Sequence, residues 1–319
     1  MSLLAALAVS ASPGAHAGAF EWNLPAGFAA PVVPADNPMS EAKVALGRAL
    51  FADPRLSISG RHSCQSCHDP ARAFTDGLPR SRGAQGDTLP LNAPTLFNVA
   101  YNASYGWREP KIRTLEQQMR GPLFNEHPRE LGLAGREAVV TAQLGADARL
   151  RTAFRDAFPD DAEPVSMRNI VRAIAAFERT LIRGGSPFDR YVFEGDHSAL
   201  DAPQKRGMQL FFAGAGCSAC HGGINFSGPW TDAAHPAAEP AFADVGTGVA
   251  VRVPTLRNLG ATAPYLHDGR LATLEAVLDN YEKVAADASA DPRLRRAPLT
   301  TEDRAALLAF LRSLDSSQR

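Results

Sequence analysis

Cys64-Gln65-Ser66-Cys67-His68 and Cys217-Ser218-Ala219-Cys220-His221 decide how this chain is read. Both are Cys-x-x-Cys-His, the spacing that sets two thioether bonds on the vinyl groups of a haem and delivers the adjacent histidine to the iron. His68 and His221 are therefore the expected proximal ligands of two haem irons. The motifs use all four cysteines, so no thiol is left for a disulfide framework. One four-thiolate zinc site would also consume them, but it leaves the histidine after each pair unexplained. The rest is ordinary globular composition: 319 residues, 45% hydrophobic, 21% charged, net charge −1. That balance makes no electrostatic case for nucleic acid or an anionic membrane as partner.

Covalent haem attachment takes place outside the cytoplasm, and the N-terminus agrees with export. Residues 1–17 carry a short apolar run, Leu3 to Val9, and the small-x-small end Ala15-His16-Ala17. They lack a basic n-region, yet a cleavable signal peptide over 1–17 and a periplasmic chain from Gly18 are expected. No later stretch reaches the roughly 18 apolar residues that span a bilayer.

The two motifs sit in matching surroundings. Gly47-Arg48-Ala49-Leu50-Phe51 precedes the first, and Gly207-Met208-Gln209-Leu210-Phe211 the second. Pro94-Thr95-Leu96-Phe97-Asn98 matches Pro254-Thr255-Leu256-Arg257-Asn258 at an offset of 160, and Thr114-Leu115-Glu116 matches Thr273-Leu274-Glu275 at 159. The expected fold is mostly α, with two cytochrome-c-like haem domains related by internal duplication. Their expected bounds are 18–195 and 196–319. Met167, Ile170, Val171, Ile174, Phe177 and Leu181 form one helical core stripe behind Ser166 as cap, and Thr300-x-x-Asp303 opens a C-terminal helix. Stretches 80–90 and 222–250 read as haem-covering or interdomain loops. Trp22 and Trp230 read as packing or surface aromatics.

The register also compares the far sides of the two haems. Trp107 falls opposite His267, and Pro122 opposite Tyr281. A tyrosine phenolate can ligate haem iron and a proline cannot. Met208 is the last methionine, so His235, His267 and Tyr281 remain as candidate sixth ligands of the second iron. After His68 no histidine occurs before His127, and Met119 is the only methionine between. The first iron is expected to keep an open, reactive face, and the second to be six-coordinate and to store electrons.

The segments LGRALFADPRLS (46–57), NAPTLFNVAYN (92–102) and VPTLRNLGATAPYLHDGRLATLEAVLDNY (253–281) resemble the bacterial di-haem cytochrome c peroxidase superfamily. In its peroxidases an iron-ligating methionine lies 14 residues after the histidine of PY-x-HDG; here that count from His267 ends on Tyr281, as in the MauG-like branch. FEWNLPAGFAAPVVPADNPMS (20–40) and GPLFNEHPRELGL (121–133) are similar to MbnH-type enzymes. These act with MbnP-like periplasmic copper-binding proteins.

The resemblance implies further roles. Trp107 would be the tryptophan between the haems, and Gln118 and Pro122 the distal-pocket pair. The distal acid would be Glu130, with Glu126 and His127 as rivals, because strict family spacing lands on Pro128. Asn92, Thr262 and Pro264 would bind an interdomain calcium through carbonyl oxygens. The switchable distal histidine of the peroxidases has no counterpart, so no reductive activation is expected. The implied function is oxidation by hydrogen peroxide of an aromatic residue, tryptophan to kynurenine, on a partner copper-binding protein. The alternatives are a peroxidase fed by a small cytochrome or cupredoxin, and a di-haem electron carrier without catalysis.

Overall fold

The computed structural model describes residues 20–228, 239–287, 291–294 and 298–316. The signal peptide, Trp230 and His235 lie outside them. In chain order the α-helices and strands are α1 (Glu41–Phe51), α2 (Leu115–Gln118), α3 (Arg120–Phe124), α4 (Glu137–Ala146), α5 (Ala148–Ala157), α6 (Met167–Arg179), α7 (Pro187–Phe193), α8 (Ala202–Gln209), β1 (Phe242–Ala243), β2 (Val251–Arg252), α9 (Leu274–Ala285) and α10 (Thr301–Arg312). The mostly helical expectation holds. The stretch 222–250 is not all loop, however: β1 begins within it and pairs antiparallel with β2.

Helix starts follow local chemistry. The Ser40, Ser166 and Thr300 side chains accept from the backbone N–H three residues on, at Lys43, Asn169 and Asp303. Each thus satisfies one orphan donor of a first helical turn. Both predicted helices begin where the sequence placed them.

Each motif is served by one tight helix pair. Gly47 of α1 lies so close to α6 that an added Cβ would collide with the Ala173 carbonyl; Gly207 of α8 meets the Ala306 carbonyl of α10 in the same way. Glycine is needed at both crossings for backbone approach, not for its torsional freedom. The α1–α6 pair anchors a core containing Leu46, Leu50, Ile170, Ile174 and Phe154. The α8–α10 pair anchors one containing Phe211, Phe226, Leu307 and Phe310. Fully burying each such side chain contributes about 1.5–3 kcal/mol. Phe188 of α7 joins the second core, although a boundary at 195 counts α7 with the first unit.

Two asparagines lock these pairs to the chain beyond each second helix. Asn98 and Asn258 both have φ +59°, in the left-handed region that asparagine tolerates. Asn98 accepts from Arg183 N and donates to Arg183 O, just past α6. Asn258 accepts from Ser316 N and Oγ, just past α10. The approaches to the motifs differ: Cys217 comes 6 residues after Phe211, Cys64 13 after Phe51. The shorter one is closed by a π-type turn over Leu210–Gly214, with Ala215 N bonded to Leu210 O.

Candidate haem sites and the junction between them

Each Cys-x-x-Cys segment winds into one 3-10 turn, and the following histidine closes it: His68 N donates to Cys64 O at 3.0 Å and His221 N to Cys217 O at 2.9 Å. His68 Nδ1 lies 2.9 Å from the Phe74 carbonyl, and His221 Nδ1 2.9 Å from that of Phe226. A carbonyl only accepts, so both Nδ1 atoms carry the proton and both Nε2 atoms keep the lone pair that a metal takes. Burial holds both imidazoles below the ordinary histidine range, which keeps them neutral. Phe74 (φ +59°) and Phe226 (φ +50°) sit in the left-handed region, so each carbonyl turns back toward its histidine. Thr95 Oγ1 donates to Ala73 O, and Thr255 Oγ1 to Asn225 O, fixing the residue before each.

Cys64, Cys67 and His68 line a cavity of about 1290 Å³; Cys217, Cys220 and His221 line a second, narrower one. The thiol pairs therefore do not converge on one ion. Burial also pushes Cys67 up to about 12 and raises Cys64, whereas a zinc site needs thiolates. Paired neutral thiols beside a fixed neutral imidazole, facing a cavity of cofactor size, fit haem attached by thioethers.

The first cavity gathers Gln118, Pro122 and Glu130, together with Met119. Leu131 N donates to Pro122 O at 2.9 Å, which ties the Pro122 and Glu130 segments together. Burial pushes the Glu130 carboxyl up to about 7. Glu126 and His127 are exposed and do not line the cavity. The sequence reading passed over a second acid. Glu178 of α6 faces the same cavity, is 6% exposed, and its Oε2 has no hydrogen-bond partner. Burial pushes it up to about 8, although the charge of Arg179 opposes this. The α6 stripe is thus not wholly core, since Met167 and Val171 line the cavity too. A carboxylate four residues after Ile174, on the apolar side of that stripe, was the available signal.

In the second cavity Leu274, Val277, Leu278 and Tyr281 present one face of α9, at helical spacing i, i+3, i+4 and i+7. His267 lines it as well, 3% exposed, with Nδ1 buried and unpartnered.

Two residues line both cavities: Trp107 and Arg252. Trp107 meets His267 edge to face at 6.3 Å between centroids, and its Nε1 donates to Asn92 O at 2.9 Å. Two backbone bonds flank the ring pair: Asn92 N to His267 O at 2.8 Å and Arg252 N to Trp107 O at 2.9 Å. Trp107 thus stands between the two sites. Asn92 Nδ2 also donates to Leu78 O. Its bond to His267 places it against the loop that carries Thr262 and Pro264. Trp22 takes no part in either cavity; it packs edge to face on Phe20 at 4.9 Å.

Known proteins bear on these sites. A sequence profile described as di-haem cytochrome c peroxidase matches residues 41–198, and one described as cytochrome c matches 204–315. The chain is similar to the methylamine utilization protein MauG of Methylorubrum extorquens, 38% identical over 88% of this chain and 80% of that protein. It is similar to the cytochrome c551 peroxidase of Pseudomonas aeruginosa, 37% identical over 88% and 81%. Among solved structures it resembles a MauG-like protein associated with microbial copper homeostasis. That match has TM-score 0.85 and 37% identity, covering 94% of this chain and 96% of that one.

Proposed function

Because the chain belongs to the di-haem cytochrome c peroxidase family, which includes MauG, we propose that this haem c peroxidase-type oxidoreductase uses hydrogen peroxide to oxidise an aromatic residue of a partner protein. The residue is tryptophan, converted to kynurenine, and the partner a periplasmic copper-binding protein of the MbnP type. The observation that carries this reading is the inequality of the cavities. The one holding His68 is wide and acid-lined, whereas the one holding His221 presents Tyr281 where family peroxidases use methionine. The copper-homeostasis neighbour supports the choice of partner.

Bound haem would supply the iron at which each peroxide is reduced to two waters with removal of two electrons and two protons from the partner, so that kynurenine takes two peroxides, with water supplying the new oxygen and the lost ring carbon leaving as formate. The chain's residues do the rest. His68 and His221 present Nε2 to the metals. Glu130 takes the proton from the near peroxide oxygen and returns it to the far one, and Gln118 and Pro122 shape the space beside it. Trp107 relays charge between the sites. The Tyr281 phenolate would hold the second metal and favour its oxidised state; His267, engaged with Trp107, stays at the junction. Asn92, Thr262 and Pro264 would offer carbonyl oxygens to a calcium ion.

We read the matching helix pairs, asparagine locks and histidine turns as one duplicated unit, with haem domains at 18–195 and 196–319. Residues 1–17 would be the leader to the periplasm; among the described residues no helix is long and apolar enough to cross a membrane.

Holoenzyme mixed with peroxide and a purified copper-binding protein of the MbnP type is expected to convert one partner tryptophan to kynurenine, read by peptide mass and near-ultraviolet absorption. An unchanged partner, with rapid turnover on reduced cytochrome c, would instead assign the simple peroxidase. In Tyr281→Phe the low-spin ferric spectrum of one haem should change and the high-spin signal of the other should stay. No change removes Tyr281 as ligand, and two low-spin haems in the unaltered enzyme would leave no open iron.

A further inference from the structure

Arg252 is 7% exposed, and no carboxylate among the described residues pairs with it. Its Nε donates to Gly106 O at 3.0 Å and its Nη1 to Val253 O at 3.4 Å. A guanidinium has five N–H donors, so three are left for whatever enters the cavities. The ring of Trp107 lies 5.5 Å from its central carbon, a cation–π contact that fixes the plane of the group. Among the described residues, the one ionisable group whose charge would favour the guanidinium is the Tyr105 phenol, which burial itself keeps neutral by pushing it up to about 12. Buried arginine elsewhere in this chain is paired: Arg257 meets Asp189, and Arg179 meets Glu116. A desolvated guanidinium without an anion is strongly unfavourable. Arg252 also lines both haem cavities.

We propose that Arg252 is a shared carboxylate clamp, taking a propionate side arm of the haem in each cavity and locking both cofactors against the Trp107 ring. It is a positioning residue: it fixes cofactor edges and supplies one positive charge that both irons feel. Arginine suits this task because its planar fork can bind two carboxylates from different directions. The backbone N–H of the same residue holds the Trp107 carbonyl, so clamp and relay move as one body. This rests on haem occupancy of both cavities and not on which partner residue is oxidised.

The test is a spectroelectrochemical titration of both haems in holoenzyme carrying Arg252→Gln, Arg252→Lys or Arg252→His. Loss of a nearby cation favours ferric iron, so both midpoint potentials should fall in Arg252→Gln and return most of the way in Arg252→Lys. In Arg252→His both potentials should gain a pH dependence that follows the imidazole, which keeps the test alive if the glutamine variant does not load haem. Unmoved potentials in Arg252→Gln, or in Arg252→His across its titration, would overturn the clamp. So would a shift confined to one haem, or equal shifts in Arg252→Gln and Arg252→Lys. The last result would reduce Arg252 to a brace for the Gly106 and Val253 carbonyls.

Discussion

Glu130→Gln is expected to slow the reaction with peroxide about 10²- to 10⁴-fold, the usual worth of a positioned proton-transfer group, with haem content unchanged. Glutamine keeps the size of the side chain and its place in the cavity but cannot accept the peroxide proton. The carboxyl is pushed up to about 7 by burial, which fixes the sign of the pH profile. Below that value it is protonated and cannot act as base, so the second-order rate should fall as pH drops through about 7 and level off above it. The variant should be slow and flat across the same range. Stopped-flow mixing with peroxide under pseudo-first-order conditions reads both effects. Glu126→Gln, altering an exposed residue outside the cavity, should leave the rate and its profile intact. A profile that survives in Glu130→Gln, breaks near 8 and vanishes in Glu178→Gln would transfer the role to the second buried acid.

The largest effect on stability is expected at Asp189 and Arg257. Their side chains are each 1% exposed and form a bidentate pair, Nη1–Oδ2 at 2.8 Å and Nη2–Oδ1 at 2.9 Å. Arg257 Nε also donates to Ile224 O at 2.7 Å, and its guanidinium lies over the rings of Phe28 and Phe226. The pair thus fastens α7 to the turn whose Phe226 carbonyl holds His221. Asp189→Ala strands a buried guanidinium and should cost about 3–5 kcal/mol, read by guanidinium denaturation of the holoprotein. Because the pair's own desolvation largely cancels its attraction, Asp189→Leu with Arg257→Met should recover most of that loss. A single alanine variant as stable as the parent would mean that the pair carries no such burden. The absorption of the His221 haem should shift in Asp189→Ala and the His68 haem should not, since the first unit has Phe97 at the position of Arg257. Phe97 packs edge to face on Phe74 at 5.4 Å.

Much of this was legible because it is local or repeated. The motif spacing gave the haem turns, the helical stripe gave α6, and the 159-residue register placed Pro122 and Tyr281 before separate cavities. What stayed hidden depends on contacts between distant segments. Asp189 and Arg257 are 68 residues apart, and neither residue type at its position announces the other. Arg252 reads as a polar break between two valines until β2 carries it against Trp107. Glu178 reads as the charged edge of a core helix until α6 turns it into the cavity. Trp107 and His267 were paired by register, but no pattern in the sequence tells that their rings touch.

That ring contact has a geometric consequence. Asn92 and Arg252 occupy the same register position, as do Trp107 and His267, each 160 residues apart. The bonds Asn92 N to His267 O and Arg252 N to Trp107 O are then one bond made twice with its ends exchanged. Such reciprocity is the signature of an isologous contact, the kind that two identical subunits make across a dyad. On the duplicated-unit reading proposed above, this exchange corresponds to a local two-fold relation past the indole and the imidazole. The exchange is unequal in its side chains: one segment contributes asparagine and tryptophan, the other arginine and histidine.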